Sequence, residues 1–321
     1  MAKIFRILLV LVGAVLVFGI AGFFWVDSRG VPRYEVGAVD FQHQSHPQAV
    51  ARGKKLVSML CANCHADPVT GLLTGTRMLD APPEFGVIYS RNITGDSAHG
   101  IGDWTDGELV YLLRTGIKRD GQYVPPYMAK LPLLADEDMN AIIAFLRSDD
   151  PLVAADPKPD WDSELTFLTK LLSNLAWKPL PMPAGPVPMP PPGDEKALGR
   201  YLALNLDCFS CHSADFKTND FGDPERSAGF FGGGNKPLNR KGEVILTGNL
   251  TPDPETGIGR WSRQQFIRAV KYLEKPGEPP LRYPMAPYPQ LTDEEAGAIY
   301  TWLQTIPPIK NKVDRFGPAA H

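Results

Sequence analysis

Cys61-Ala62-Asn63-Cys64-His65 and Cys208-Phe209-Ser210-Cys211-His212 are two copies of one C-x-x-C-H pentapeptide, and they hold all four cysteines of the 321-residue chain. The pattern is that of covalent haem c attachment. Two thiols about one helical turn apart can each add to a haem vinyl group as a thioether. The histidine that follows is then held under the iron as its proximal ligand. Cys61, Cys64, Cys208 and Cys211 are therefore expected to bind two haems, with His65 and His212 as iron ligands. A redox disulfide would not require a histidine after both pairs. A four-cysteine zinc site would need short spacing, and the pairs stand 147 residues apart (Cys61 to Cys208).

Working outward, the surroundings of the two motifs repeat. Ala51-Arg-Gly-Lys-Lys-Leu precedes the first and Ala197-Leu-Gly-Arg-Tyr-Leu the second. Downstream, Asn92-Ile93-Thr94 and Gly100-Ile101-Gly102-Asp103-Trp104 recur 157 residues later as Asn249-Leu250-Thr251 and Gly257-Ile258-Gly259-Arg260-Trp261. Apolar periodicity predicts helices near Asp106–Gly116 and Arg263–Leu273. The acidic runs Asp136-Glu137-Asp138 and Asp293-Glu294-Glu295 open a last helix in each half. Only the stretch after the histidine differs in length. His65 to Asn92 is 27 residues and His212 to Asn249 is 37, and the glycine-rich stretch Gly229–Asn235 is expected to be the flexible insertion.

Met128 and Met285 also stand 157 residues apart, each in a proline-rich loop before the last helix. They are the expected distal iron ligands, against the ordinary role of methionine as core filler. Met59, Met78 and Met139 have no counterpart in the second half, nor have His43, His46 and His99, and none of these is expected to ligate. Trp104 and Trp261 either touch the haem or only shape their loop. Asn92 and Asn249 are candidates to brace the same loop.

With these residues in view, the chain resembles the cytochrome c subunits of bacterial membrane-bound alcohol and gluconate-type dehydrogenases. The shared features are C-x-x-C-H, Asn-Ile/Leu-Thr, Gly-Ile-Gly-x-Trp, the Met loop and the acidic start of the last helix. The resemblance implies a mainly α fold of two tandem class I cytochrome c domains. Those subunits typically have three such domains, whereas this chain shows two and an N-terminal apolar helix.

That helix is read from an uncharged run, Ile7 to Val26, preceded by Lys3 and Arg6. Twenty apolar residues can span a bilayer. Phe23, Phe24 and Trp25 suit its interface, and the preceding positive charge favours a cytoplasmic N-terminus. A signal peptide cleaved near Gly19 or Ala21 is the alternative. The expected organisation is an anchor over 1–26, cytochrome c domains over 27–150 and 194–321, and a proline-rich linker over 151–193. Within the linker, Trp161–Trp177 is the place for a short helix. The haem domains would lie on the periplasmic side of the inner membrane.

Lys+Arg 33 against Asp+Glu 36, net charge -3, argues against a nucleic-acid partner. The functional expectation is an electron carrier rather than an enzyme, between a dehydrogenase or quinol-oxidising complex and a terminal oxidase or soluble carrier. A fixed electron-transfer subunit of a larger oxidoreductase is an alternative with the same chemistry. A di-haem peroxidase is another, but peroxide needs an open iron, and two methionine ligands argue against it.

Overall fold

The structure, a computed structural model, describes residues 2–275, 277 and 279–314; residues 315–321 of the expected second domain lie outside that range. It is mainly helical. α1 (Ala2–Arg29) is a single apolar helix, about 40 Å long at 1.5 Å per residue. It carries its apolar side chains outward over nearly its whole length, and it is long and apolar enough to cross a membrane.

Four helices follow in the first half: α2 (Pro47–Leu60), α3 (Ala62–His65), α4 (Asp106–Thr115) and α5 (Asp136–Leu146). Each has a local cause. His46 caps α2 by accepting the Ala49 N–H, and Pro47 occupies the first turn, where its missing N–H costs nothing. Thr105 and Glu108 form a capping box at α4, and Gly116 ends it in the left-handed region at φ 81°. α5 lacks a side-chain cap, but its first residue is tied at both ends: Asp136 N–H donates to Val187 O, and its carboxylate accepts from Val187 N–H.

The second half repeats the set as α7 (Glu195–Asn205), α8 (Cys208–His212), α9 (Arg263–Tyr272) and α10 (Asp293–Leu303), α6 being described below. Ser262 with Gln265 and Thr292 with Glu295 form capping boxes at α9 and α10. α2 crosses α5, and α7 crosses α10, each at a glycine. A Cβ on Gly53 would lie 1.9 Å from Ala141 O, and one on Gly199 1.9 Å from Ala298 O. No other residue allows that approach. The helix pairs bury Leu56, Val57, Ile142 and Phe145 in one half and Leu202, Ile299, Trp302 and Leu303 in the other. Full burial of each such side chain contributes about 1.5–3 kcal/mol.

The repeat extends to backbone hydrogen bonds. Val124 N–H to Gly116 O, Leu131 N–H to Leu113 O and Ile101 N–H to Thr94 O recur as Leu281 to Leu273, Tyr288 to Val270 and Ile258 to Thr251. The placement of the extra residues corrects the sequence reading. Asp67 and Asp215 each accept two N–H groups of the following turn and correspond, as do Leu73 and Phe231, whose carbonyls accept from Ile93 and Leu250. The insertion therefore falls between Thr218 and Phe231, largely before the glycines. Gly232, Gly233 and Asn235 are buried, and Asn311 Nδ2 donates to Gly232 O (2.9 Å) and Gly233 O (3.2 Å). The glycines serve close approach: a Cβ on Gly233 would lie 2.5 Å from Gly248 C.

Between the halves the chain first packs against what precedes it. Strands β1 (Gly86–Val87) and β2 (Glu164–Leu165) pair antiparallel, and α6 (Phe167–Leu175) lies beside α1. Residues 178–193 form no helix or strand and run past the start of α5, with Leu180 N–H donating to Thr115 O. The halves meet at a buried polar node. Asp138, fully enclosed, accepts from Arg52 and from Tyr201 Oη (2.5 Å), while Tyr201 Oη accepts the Ala135 N–H at 3.1 Å. Lys55 pairs with Glu295 across the same seam.

Candidate haem sites

Cys61 closes α2 and opens α3, so a helical turn follows directly. His65 N–H donates to Cys61 O at 2.9 Å. Spacings of three and four along that turn set Cys61, Cys64 and His65 on one side. α8 does the same for Cys208, Cys211 and His212. Asp207 starts it in the left-handed region (φ 58°), and its side chain accepts from Ser210 Oγ at 2.7 Å.

Both imidazoles are oriented alike. His65 Nδ1 donates to Arg91 O at 2.7 Å, and His212 Nδ1 donates to Gly248 O at 2.8 Å. A carbonyl can only accept, so each ring carries its proton on Nδ1 and its lone pair on Nε2. That is the tautomer a metal ligand needs, and the carbonyl partner raises its basicity. Burial pushes the thiols up, Cys61, Cys208 and Cys211 to about 12 and Cys64 to about 11. None of the four is in a disulfide. Among the described residues no group of three or more His, Cys, Asp or Glu is placed to hold a metal ion by itself.

The loops over these histidines are braced by the asparagines. Asn92 Oδ1 accepts from Thr94 N–H and Oγ1, and Asn92 Nδ2 donates to Asp156 O and Lys158 O. Asn249 holds Thr251 in the same way and donates to Ile309 O. Each asparagine thus locks its loop to the chain that leaves the last helix. Trp104 and Trp261 each lie under a cation, Arg119 at 5.1 Å and Lys275 at 5.4 Å from the ring centre.

Met128 and Met285 sit half-buried in equivalent turns, Met128 N–H donating to Pro125 O and Met285 N–H to Arg282 O. The sequence did not single out what holds these loops. Arg114 is buried in α4, and its Nη1 donates to Leu131 O (2.8 Å), Pro132 O (3.2 Å) and Leu134 O (2.5 Å), while Nη2 pairs with Asp136 at 2.8 Å. Lys271 stands at the corresponding place and reaches Asp293 at 2.6 Å. The common 157-residue offset of the two cation–carboxylate pairs was the available signal.

The other methionines and histidines have different work. Met59 and Met139 are core residues. His43 Nδ1 meets Asp106 Oδ2 at 2.7 Å, His46 caps α2, and His99 N–H donates to Asp96 Oδ1.

Tyr283, in the Met285 loop, hydrogen-bonds Asp80 of the first half, and its hydroxyl is pushed up by burial and then by the Asp80 charge. Tyr288 is raised by burial, then by Cys208, Cys211, Asp207 and Cys64. Asp80, Tyr283 and Tyr288 have no matching counterparts in the repeat, and nothing in the sequence marks them.

Residues 50–149, the segment holding the first motif, match the cytochrome c family. These residues are a cytochrome c domain. Covalently bound haem c is the group such a domain carries, and the residues here fit it: two thiols on one helical turn, an imidazole with its lone pair on Nε2, and a methionine loop. In the second half the same set is accompanied by buried Ser213 Oγ and Thr247 Oγ1, which have no hydrogen-bond partner among the described residues and flank His212 and Gly248 in sequence.

Beyond the cytochrome c domain, most of the chain has relatives. It is 30% identical over 276 residues to the fructose dehydrogenase cytochrome subunit of Gluconobacter japonicus, covering 82% of this chain and 54% of the relative. It is 28% identical over 263 residues to the cytochrome c subunit of the quinone alcohol dehydrogenase of Gluconacetobacter polyoxogenes, covering 78% and 54%. It is 29% identical over 278 residues to a diheme cytochrome c-type protein of Cereibacter sphaeroides, covering 78% and 83%. The chain thus spans about half the length of the dehydrogenase subunits it matches.

Proposed function

We propose that this chain is a membrane-anchored di-haem cytochrome c of the periplasm, with tandem class I domains over 27–150 and 194–321. In this reading it passes electrons from a dehydrogenase or quinol-oxidising complex to a terminal oxidase or soluble carrier. The observation that carries the reading is the pair of C-x-x-C-H turns with identically oriented histidines. The diheme relative, matched over 83% of its length, supports a count of two.

Bound at these positions, haem c supplies an Fe(II)/Fe(III) couple. Cys61 and Cys64, and Cys208 and Cys211, would hold it by thioethers. His65 and His212 would each offer Nε2 to the iron, oriented by the carbonyls of Arg91 and Gly248. Met128 and Met285 would supply thioether sulphur ligands, which raise the potential. In this reading the chain is an electron-transfer component rather than an enzyme. Tyr283, in the Met285 loop, bonds Asp80 of the first half, which in this reading puts the two haem-bearing halves in contact. Residues 151–193 link the two domains and bond to the first, through β2, Leu180 and Val187.

The names of the relatives favour a dehydrogenase as the electron donor. Purification of the full chain from its native membranes in mild detergent, with mass spectrometry of what accompanies it, tests this. A stoichiometric catalytic dehydrogenase subunit is the expected result. A haem-loaded protein that never co-purifies with one, and that is not reduced by membranes supplied with dehydrogenase substrates, would contradict the partner assignment.

A further inference from the structure

α6 is built inside out. Its small polar side chains face the protein: Thr169 and Ser173 are fully buried, Thr169 Oγ1 donating to Phe85 O and Ser173 Oγ to Thr169 O. Its leucines face away. Leu168 is 38% and Leu175 68% exposed, seven residues apart and so on one face, with half-buried Leu171 and Leu172 between them. A surface helix of a globular protein shows the reverse arrangement.

What lies beside that face follows from α1. Phe23 stacks on Phe167 with ring centres 4.5 Å apart, Asp27 pairs with Lys170 at 2.6 Å, and Gly30 O accepts from Asn174 Nδ2 at 2.8 Å. The contacts advance in step along both helices, so α6 stands alongside the outer end of α1. Phe23 belongs to the aromatic trio Phe23-Phe24-Trp25 that closes the apolar run, with Phe24 and Trp25 outward at 64% and 53% exposure. Aromatic residues at that position mark the boundary between hydrocarbon and headgroups. From Phe23 to Gly30 the helix rises about 10 Å, the depth of one interfacial layer.

We propose that α6 is a second membrane contact, standing in the lipid–water interface beside α1 with Leu168, Leu171, Leu172 and Leu175 toward lipid. The inference rests on the reading of α1 as a membrane anchor. The attraction is apolar rather than electrostatic, because Lys170 is paired with Asp27, and Glu84, Asp162 and Glu164 lie near the start of α6. Two contacts side by side would fix the tilt of the haem-bearing part over the membrane, which a single helix with a free joint would not.

The test uses the full haem-loaded chain in phosphatidylcholine vesicles with one nitroxide label at a time. Leu168→Cys and Leu175→Cys report on α6, Val15→Cys on the span, and Val69→Cys, 91% exposed in the first half, on water. Collision with oxygen reports lipid, and collision with a nickel chelate reports water. The expected ratio of oxygen to nickel collisions is highest at position 15, intermediate at 168 and 175, and lowest at 69. Positions 168 and 175 matching 69 while 15 reads lipid would overturn the proposal and leave the anchor standing. Water at 15, 168 and 175 would overturn both. Labels at 168 and 175 shielded from both reagents, with spin–spin broadening, would overturn lipid contact in favour of a second copy of the chain.

Discussion

Truncating the methionine side chain isolates what a single atom does. In Met128→Ala or Met285→Ala the thioethers and proximal histidine remain, so each variant should keep its haem. The altered haem should lose potential, because Met ligation raises it, and should bind carbon monoxide or cyanide. The weak long-wavelength band of the ferric protein should shrink in each variant, since one of the two haems loses its sulphur ligand. An unchanged spectrum and potential in Met128→Ala would show that another residue ligates in the first domain.

Asp106 illustrates a residue whose role the sequence does not reveal. Burial would raise its carboxyl pKa, but the hydrogen bonds from the His43 side chain and N–H and from Arg147 win, and the net shift is downward. A depressed folded value means stability present above the ordinary aspartate pKa of about 3.9 and lost as pH falls through the folded value. Asp106→Asn should therefore cost about 1–2 kcal/mol near neutral pH, with the gap to wild type shrinking below about pH 4. Denaturant unfolding at a series of pH values measures this; a gap that stays constant down to acid would contradict it. The proposed haem-binding residues, by contrast, stand out in the sequence because covalent attachment would fix both their types and their spacing. His43 and Asp106 are 63 residues apart, and only the fold brings them together.

Among the elements, the crossings at Gly53 and Gly199 set the geometry of each half, since they place the helix leading into the haem motif against the last helix. Gly53→Ala forces a methyl group into Ala141 O and Phe145 Cβ. It should destabilise the first half by about 1–3 kcal/mol or more and lower haem retention there, while Gly199→Ala should do the same in the second. Thermal unfolding followed at the haem bands measures it, and a Gly53→Ala protein as stable as wild type would contradict the close crossing. The helices themselves were readable: Asp106–Thr115 and Arg263–Tyr272 lie within a residue of the stretches that periodicity picks out. The insertion was not. Glycine at 229, 232, 233 and 234 reads as flexibility in sequence, but at Gly233 it serves an approach to Gly248 that only the folded chain reveals.

For the whole molecule, the proposed function puts one haem site in each copy of the repeat, in a chain whose α1 is long and apolar enough to cross a membrane. The duplication was visible as a 157-residue offset. The contact between the copies was not, because Asp80 and Tyr283 occur once and Tyr201 reaches Asp138 across the seam. The most direct measurement is the intact mass of the full chain purified from membranes of a host that makes haem c. The account predicts the polypeptide mass plus two haems, with Cys61→Ala/Cys64→Ala and Cys208→Ala/Cys211→Ala each retaining one. A wild-type chain carrying one haem or none would contradict it.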